Sequence, residues 1–287
     1  MNLKEFSKIF KIEITFLVDL VAVAAFFSNP AFSSKIIYIV PLLISGTLGS
    51  MSAALFNNIY DMDIDSGMKR TRTRKDILNS GNYWSYFLTG ILMLAGSGAI
   101  SFFLINPLTS LFIILGFVSY VFLYTMFLKR RTVWNIVIGG VAGSFPALAG
   151  WAAISNDVSL TSLFIAGLVF LWTPTHFWSL AVNNVEDYRG ASLPMLPAKI
   201  GIKESFGWIF TNTIVLIIYS LLPLFTGAIH VGVYYIILAV LMDGLLLYLV
   251  IRPKLNNFSL KYFRQVFHYS NFYLMFLLIS ISFVSIR

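Results

Sequence analysis

Asn57, Asp61 and Asp65 recur at intervals of four in FNNIYDMDID, residues 56–65. On a helix this spacing places one amide and two carboxylates on one face and turns Asp63 elsewhere. Two carboxylates one turn apart, separated by roughly 6 Å of rise, repel by about 3 kcal/mol at an effective dielectric of about 20. Such a pair requires a cation. Basic side chains just downstream are one source, and a divalent metal is the other. Hard carboxylate and amide oxygens near water suit Mg²⁺ that keeps part of its hydration and takes further oxygens from a phosphate.

NNVEDYRGA, residues 183–191, repeats the first motif imperfectly. Asn183 matches Asn57, Asn184 matches Asn58 and Asp187 matches Asp61, while Ala191 stands where the first copy has Asp65. Two oxygen-rich helix ends that face one cavity make a more specific arrangement than a single acidic run. Basic runs flank the first motif in MKRTRTRK, residues 68–75, and follow later as KRR, residues 129–131. Arg forks and Lys ammonium groups bind phosphate oxygens well. The combination suggests departure of diphosphate from a lipid-soluble substrate, with metal and cations stabilising the growing charge.

The elements that must hold these groups are membrane helices. Hydrophobic residues form 58% of the 287 and charged residues 11%, and the apolar residues come in blocks of about twenty, the length that spans a bilayer core. The blocks predict nine spans, at about 12–29, 36–58, 84–104, 107–127, 134–154, 160–183, 205–225, 230–250 and 268–286. Glu13 and Asp19 in the first block argue against a cleavable signal peptide. The absence of cysteine excludes disulfides and thiol chemistry.

With alternating spans, all of the 20 Lys and Arg except Lys35 and Arg287 fall on one side. That asymmetry predicts a multi-pass protein of the cell membrane with a cytoplasmic N-terminus, cytoplasmic motif loops and an outside C-terminus. The net charge of +8 therefore orients the chain and holds it to anionic headgroups, with no role expected for nucleic acid. The expected fold is all-α, one polytopic domain over residues 1–287 with pseudo-repeated halves.

The spacing of Asn57, Asp61 and Asp65 resembles the first aspartate motif of the UbiA superfamily of intramembrane prenyltransferases. Three longer blocks are similar to the branch of that superfamily that farnesylates protoheme IX: NNIYDMDIDSGMKRTRTR, KRRTVWNIVIGGVAGSFPALAGWAA and LWTPTHFWSLAVNNVEDYRGASLPMLP. The likeness runs from about residue 46 to 201, and the degenerate second motif belongs to the same pattern. It implies nine helices around a lipid-open cavity and transfer of a farnesyl group from farnesyl diphosphate to a vinyl group of heme b. Carried onto this chain, it implies that Asn57, Asp61, Asp65, Asn183 and Asp187 hold Mg²⁺, with Asp61, Asp65 and Asp187 acting in catalysis. Arg70, Arg74, Lys129 and Arg130 would hold diphosphate, and a heme A synthase or terminal oxidase assembly would receive the product.

Four positions depart from the family pattern. KIEITF opens the first span where Lys-Pro-Arg is usual, so Glu13 replaces an expected cation; Lys75 replaces a proline after Arg74; TVW at 132–134 replaces Thr-Pro-Gln; and Thr175 replaces a proline before His176. None removes an expected metal ligand.

His176 lies within the sixth span, and steps of seven and eleven carry it to Asn183 and Asp187 on nearly the same helical face. Pro174 beside it predicts a kink. One reading is a neutral packing imidazole; the resemblance adds a heme contact or axial ligand. His230 and His268 are expected at headgroup level. Gly139, Gly143 and Ala147 form a small-residue stripe suited to close helix contact. Asp19 and Asp243 sit inside spans, away from the motif ends, and are expected to pair between helices. The 27 Phe and 14 Tyr are expected mostly to face lipid, with some shielding an allylic cation.

Two other functions bear on the same residues. A relative within the superfamily would prenylate a quinone precursor or a glycerol lipid, which the donor-binding residues do not distinguish. A transporter would place its acidic residues near the bilayer midplane, whereas both motifs here end spans on one side.

Overall fold

The computed structural model describes residues 2–282 apart from Ser66, Lys69, Arg70, Gly81, Ala228 and His230, and every regular element among them is helical. Helix α1 (Leu3–Phe10) lies outside the expected spans. Asn2 and Glu5 close its first turn with a reciprocal capping box, at 2.9 and 2.8 Å. Its Ile9 and Phe10 pack with Met51, Leu55 and Leu78. Lys11, in the left-handed region (φ 48°, ψ 51°), then turns the chain into α2 (Ile12–Ser28).

A 3₁₀ stretch (Phe32–Tyr38) leads into α3 (Ile39–Tyr60), followed by the single turn α4 (Met62–Asp65) and by α5 (Arg72–Ser80). Asn82 caps α6 (Tyr83–Leu104), and Asn106 caps α7 (Pro107–Val118), whose Pro107 needs no amide hydrogen in a first turn. α7 continues as a π-helix, Ser119–Leu128. Then follow α8 (Asn135–Gly139), α9 (Val141–Ser155), α10 (Leu160–Asn183), α11 (Val185–Gly190), α12 (Leu196–Ile200), α13 (Ile202–Ser220), α14 (Val233–Leu255) and α15 (Leu260–Ser282).

Among the described residues, seven helices are long and apolar enough to cross a membrane. The first and last expected spans coincide with α2 and α15, which do not meet that standard. α2 has only 17 residues and carries Glu13 and Asp19, and the first turns of α15 carry Lys261, Arg264, Gln265 and His268.

α2 packs on α9, α3 and α15, while α10 packs on α15, α9 and α13. The α2–α9 contact is close because Gly150 has no side chain; a Cβ there would lie 2.0 Å from the carbonyl oxygen of Ala22. The small-residue stripe does pack closely, but on more than one element. Gly139 abuts the Tyr124 ring, Gly143 faces Val169 and Ala147 is fully buried. Hydroxyls stitch helices together inside, as where Ser97 donates to the Ser45 carbonyl at 2.6 Å and Ser52 to that of Gly90 at 2.8 Å. Large apolar side chains such as Phe103, 79% exposed, point outward, as lipid requires. Asp243 is paired between helices, accepting from Ser220 and Tyr273 at 2.7 Å each.

Candidate functional site

The first motif spans a break between two helices. α3 ends at Tyr60, Asp61 has φ −90° and ψ 8°, and α4 carries Asp65. The Asp61 amide donates to Asn57 O at 3.0 Å and the Asp65 amide to Asp61 O at 2.8 Å, so the four-residue spacing survives the break. Asn57, Asp61 and Asp65 are all buried, and Asp63 is exposed.

Asn57 is the hub. Its amide nitrogen donates to Asp61 Oδ2 and to Thr125 Oγ1, each at 2.9 Å, while its Oδ1 accepts from Lys11 Nζ. Lys129 Nζ donates to Asp61 Oδ2 at 2.5 Å. Asp61 follows the last turn of α3, where the unsatisfied carbonyls add negative charge, so a cation there is doubly favoured. The π-helix helps supply it. Thr125 Oγ1 donates to Tyr120 O and the Lys129 amide to Tyr124 O, each at 2.8 Å and five residues back. Thr125 thereby meets Asn57 while Lys129, one turn on, meets Asp61.

Asp65 lies 3.7 Å from Arg74, and Arg130 approaches Asp61 Oδ1 at 3.7 Å. Neither contact is a hydrogen bond. Asp61 Oδ1 and Asp65 Oδ2 are buried oxygens without a hydrogen-bond partner among the described residues. Lys11 completes the group: burial holds its ammonium well below the usual lysine range, Arg74 and Lys129 push it the same way, and Asp61 and Asp65 oppose them. Two carboxylates and three cations therefore share one low-dielectric region. Of the basic run just downstream, Arg74 stands 3.7 Å from Asp65, whereas the cation bonded to Asp61 is Lys129 from a distant part of the chain.

Arg130 behaves differently from the expectation. It grips the exposed Asp63 with two bonds of 2.7 and 2.8 Å, donates to Tyr60 O at 3.1 Å and covers the Tyr60 ring at 4.7 Å. Its hydrogen bonds hold the Asp63 carboxyl below the usual range. Arg70 and His230 lie outside the described residues.

The second motif also spans a helix break, between α10 and α11. Asn183 donates to Ser179 O at 2.9 Å, and its Oδ1 is buried without a partner. Asp187 is half-buried in the first turn of α11. Among the described residues no hydrogen bond or ion pair joins this motif to the first, and no three acidic or histidine side chains converge on a metal-sized site. The structure brings Asn57, Asp61, Asp65, Arg74 and Lys129 together.

His176 is buried against α15. Trp172 stacks on its ring at 4.2 Å, Phe267 lies at 4.6 Å and Nδ1 bonds Ser270 Oγ at 2.8 Å. Any further partner would have to use Nε2.

Lys11 and Thr125 are site residues that the sequence reading missed. Lys11 was visible only as one cation among many, and Thr125 gave no signal because a π-helix carries no simple periodicity.

A model of the UbiA prenyltransferase family matches residues 17–271. Protoheme IX farnesyltransferase 2 of Picrophilus torridus is 55% identical over 280 residues, covering 98% of this chain and 97% of the relative. Protoheme IX farnesyltransferase of Saccharolobus islandicus is 38% identical, covering 97% and 95%. Among solved structures, one of digeranylgeranylglyceryl phosphate synthase superposes with a TM-score of 0.77 at 16% identity, covering 99% of this chain and 98% of that one. A UbiA homologue from Archaeoglobus fulgidus bound to DMAPP and Mg²⁺ superposes with a TM-score of 0.67 at 17% identity, covering 96% and 99%. At those identities the two structures share the fold, whereas the family match spans most of the sequence and the full-length relatives exceed 30% identity: the chain belongs to the UbiA prenyltransferase family.

Proposed function

We propose that this chain transfers a farnesyl group from farnesyl diphosphate to a vinyl group of heme b, in a Mg²⁺-dependent reaction on the cytoplasmic side of the cell membrane. The observation that carries the donor half is the pair of unpartnered carboxylate oxygens on Asp61 and Asp65, set among Lys11, Arg74 and Lys129. The acceptor rests on the names of the full-length relatives.

Asn57, Asp61 and Asp65 would hold Mg²⁺ together with Asn183 and Asp187 of the second motif. Bound there, the metal supplies Lewis-acid neutralisation of the leaving diphosphate. The side chains do the rest. As the C–O bond of the donor ionises, Lys129 leaves Asp61 for the diphosphate oxygens, and Lys11 and Arg74 face the same growing charge. A polyanion beside Lys11 also restores its preference for the charged form. Arg130 would act at the outer edge after releasing Asp63, and Arg70 is proposed as a further diphosphate ligand from its place in the sequence. The allylic cation then alkylates the vinyl π-bond, and the apolar walls keep bulk water from the first cation. A heme A synthase or terminal oxidase assembly is the proposed recipient.

The test is incubation of purified protein in lipid with heme b, isoprenyl diphosphates of several lengths and Mg²⁺, followed by mass analysis of the extracted heme. Farnesylated heme is expected. Alkylation of a quinone precursor or glycerol lipid, with heme untouched, overturns the acceptor and keeps the donor site.

A further inference from the structure

Asn58 follows the hub residue Asn57, yet its side chain goes to the joint between α1 and α2. Its Nδ2 donates to the Ile9 carbonyl at 2.7 Å, and the residue is fully buried. The nitrogen faces Ile9 because a carbonyl oxygen can only accept. Asn58 Oδ1 has no hydrogen-bond partner among the described residues. A buried amide left half unbonded is unfavourable compared with an apolar side chain of its size, and what offsets it is the single bond to α1. The counterpart in the second motif, Asn184, bonds the Leu180 carbonyl of its own helix at 2.8 Å, so the clamp belongs to the first motif.

The joint that this donor holds is itself strained. Lys11 ends α1 and opens α2 in the left-handed region, a conformation that glycine adopts freely and a lysine does not. Helix ends leave carbonyls without backbone partners, and here side chains take two of them: Asn58 bonds Ile9 O, and Thr15 Oγ1 donates to Phe10 O at 3.3 Å. The purpose of the turn shows at the far end of the same residue. Lys11 Nζ bonds Asn57 Oδ1 and lies 3.2 Å from the Tyr120 hydroxyl. A lysine stem is flexible, so its ammonium is fixed in place only if the backbone it springs from is fixed. Adjacent residues of α3 therefore grip Lys11 twice, Asn57 at the ammonium and Asn58 at the backbone two residues before it.

We propose that Asn58 is a positioning residue for the donor half of the reaction: by holding the Ile9 carbonyl it fixes the left-handed turn from which Lys11 meets the leaving diphosphate. The inference rests on the reading of Lys11 as one of the diphosphate's cations. Asn58 touches neither metal nor substrate in this scheme, and its effect passes through Lys11. The second asparagine of the motif thus has a task distinct from that of the first, which sits among the acidic pair itself.

Wild type, Asn58→Leu, Lys11→Met and the double variant, each in lipid vesicles with heme b, farnesyl diphosphate and Mg²⁺, test this through kcat/KM for diphosphate release and through the unfolding temperature. Lys11→Met should lower kcat/KM about 100-fold, and Asn58→Leu about 10-fold through a displaced ammonium. The double variant should fall within about twofold of Lys11→Met, because a residue that acts through Lys11 then has nothing left to position. The unfolding temperature, by contrast, should drop with Asn58→Leu in both backgrounds. Thr15→Val, which frees the Phe10 carbonyl at the same joint, should show the same coupling with a smaller loss, and it carries the test if Asn58→Leu does not fold. A double variant about 1000-fold below wild type, the product of the two single losses, or wild-type kcat/KM in Asn58→Leu, makes Asn58 a packing residue and overturns the inference while leaving farnesyl transfer intact. Wild-type turnover in Lys11→Met overturns it too, by removing Lys11 from the donor site. A wild type that releases no diphosphate rejects the proposed function itself.

Discussion

Lys129 donates to Asp61 across 2.5 Å, and both side chains are nearly out of water, 11% and 2% exposed. One turn earlier Asn57 and Thr125 make the matching contact. Two residues four apart at the end of α3 thus meet two residues four apart at the end of the π-helix, and the acidic motif is held by an element with no acidic or metal-binding signature of its own. Lys129 thus stands where the proposed metal would meet Asp61, and the proposed reaction would exchange one partner for the other.

Asp65 and Asp61 should therefore respond differently to loss of charge. Among the described residues the Asp65 carboxylate's one ion pair is a distant one with Arg74, so Asp65→Asn is expected to lower turnover about 100-fold while the unfolding temperature without added ligand stays put. Asp61→Asn should lose turnover too, and also about 2 kcal/mol of stability, because it weakens a charge-assisted hydrogen bond. Asp63→Asn serves as the control. Its pair with Arg130 is at the surface, where ion pairs contribute little, and turnover should change less than in the other two. Full activity in both Asp65→Asn and Asp61→Asn would remove the metal site.

The acidic motif was legible because a four-residue period is local: it survives even the break at Asp61. The spans were legible for the same reason, each being a contiguous apolar block. Pairing across the bundle was not. Asp61 and Lys129 are far apart in sequence, and nothing in KRR says that Lys129 turns inward to Asp61 while Arg130 turns outward to Asp63. Helix α1 was hidden by its short length and mixed composition. How the second motif stands to the first is a matter of tertiary geometry that the repeat by itself could not specify.

The proposed membrane sidedness rests on the charge asymmetry and is open to labelling. The cysteine-free background lets single cysteines be placed at Thr73, Ser192 and Val158, all exposed. Thr73 and Ser192 should react with an impermeant thiol reagent only from the cytoplasmic side, and Val158 only from outside. Labelling of Thr73 and Ser192 from opposite sides would separate the two motifs for good.

His176 is expected to matter for packing. Its ring is stacked against Trp172 and its Nδ1 is committed to Ser270. His176→Ala should cost about 2–3 kcal/mol of stability through the cavity it leaves. The Soret band of heme-loaded protein should not move. A shifted band with diphosphate binding retained would make Nε2 an iron contact after all.

Lys129 offers the sharpest separation of metal site from ion pair. If Lys129 and Mg²⁺ compete for Asp61, removing the lysine leaves a buried carboxylate that is short of a cation until metal arrives. Lys129→Met should therefore lower the metal-free unfolding temperature, by the equivalent of about 3 kcal/mol for a broken buried pair. Mg²⁺ alone should then raise it by more than it raises the wild type, because binding to the folded state stabilises in proportion to affinity. Turnover should still fall about 100-fold, since the departing diphosphate loses one of its cations. Thermal unfolding with and without Mg²⁺ reads the first effect and diphosphate release the second. An equal Mg²⁺ shift in wild type and Lys129→Met would mean that the metal does not sit on Asp61, and the exchange of partners would have to be abandoned.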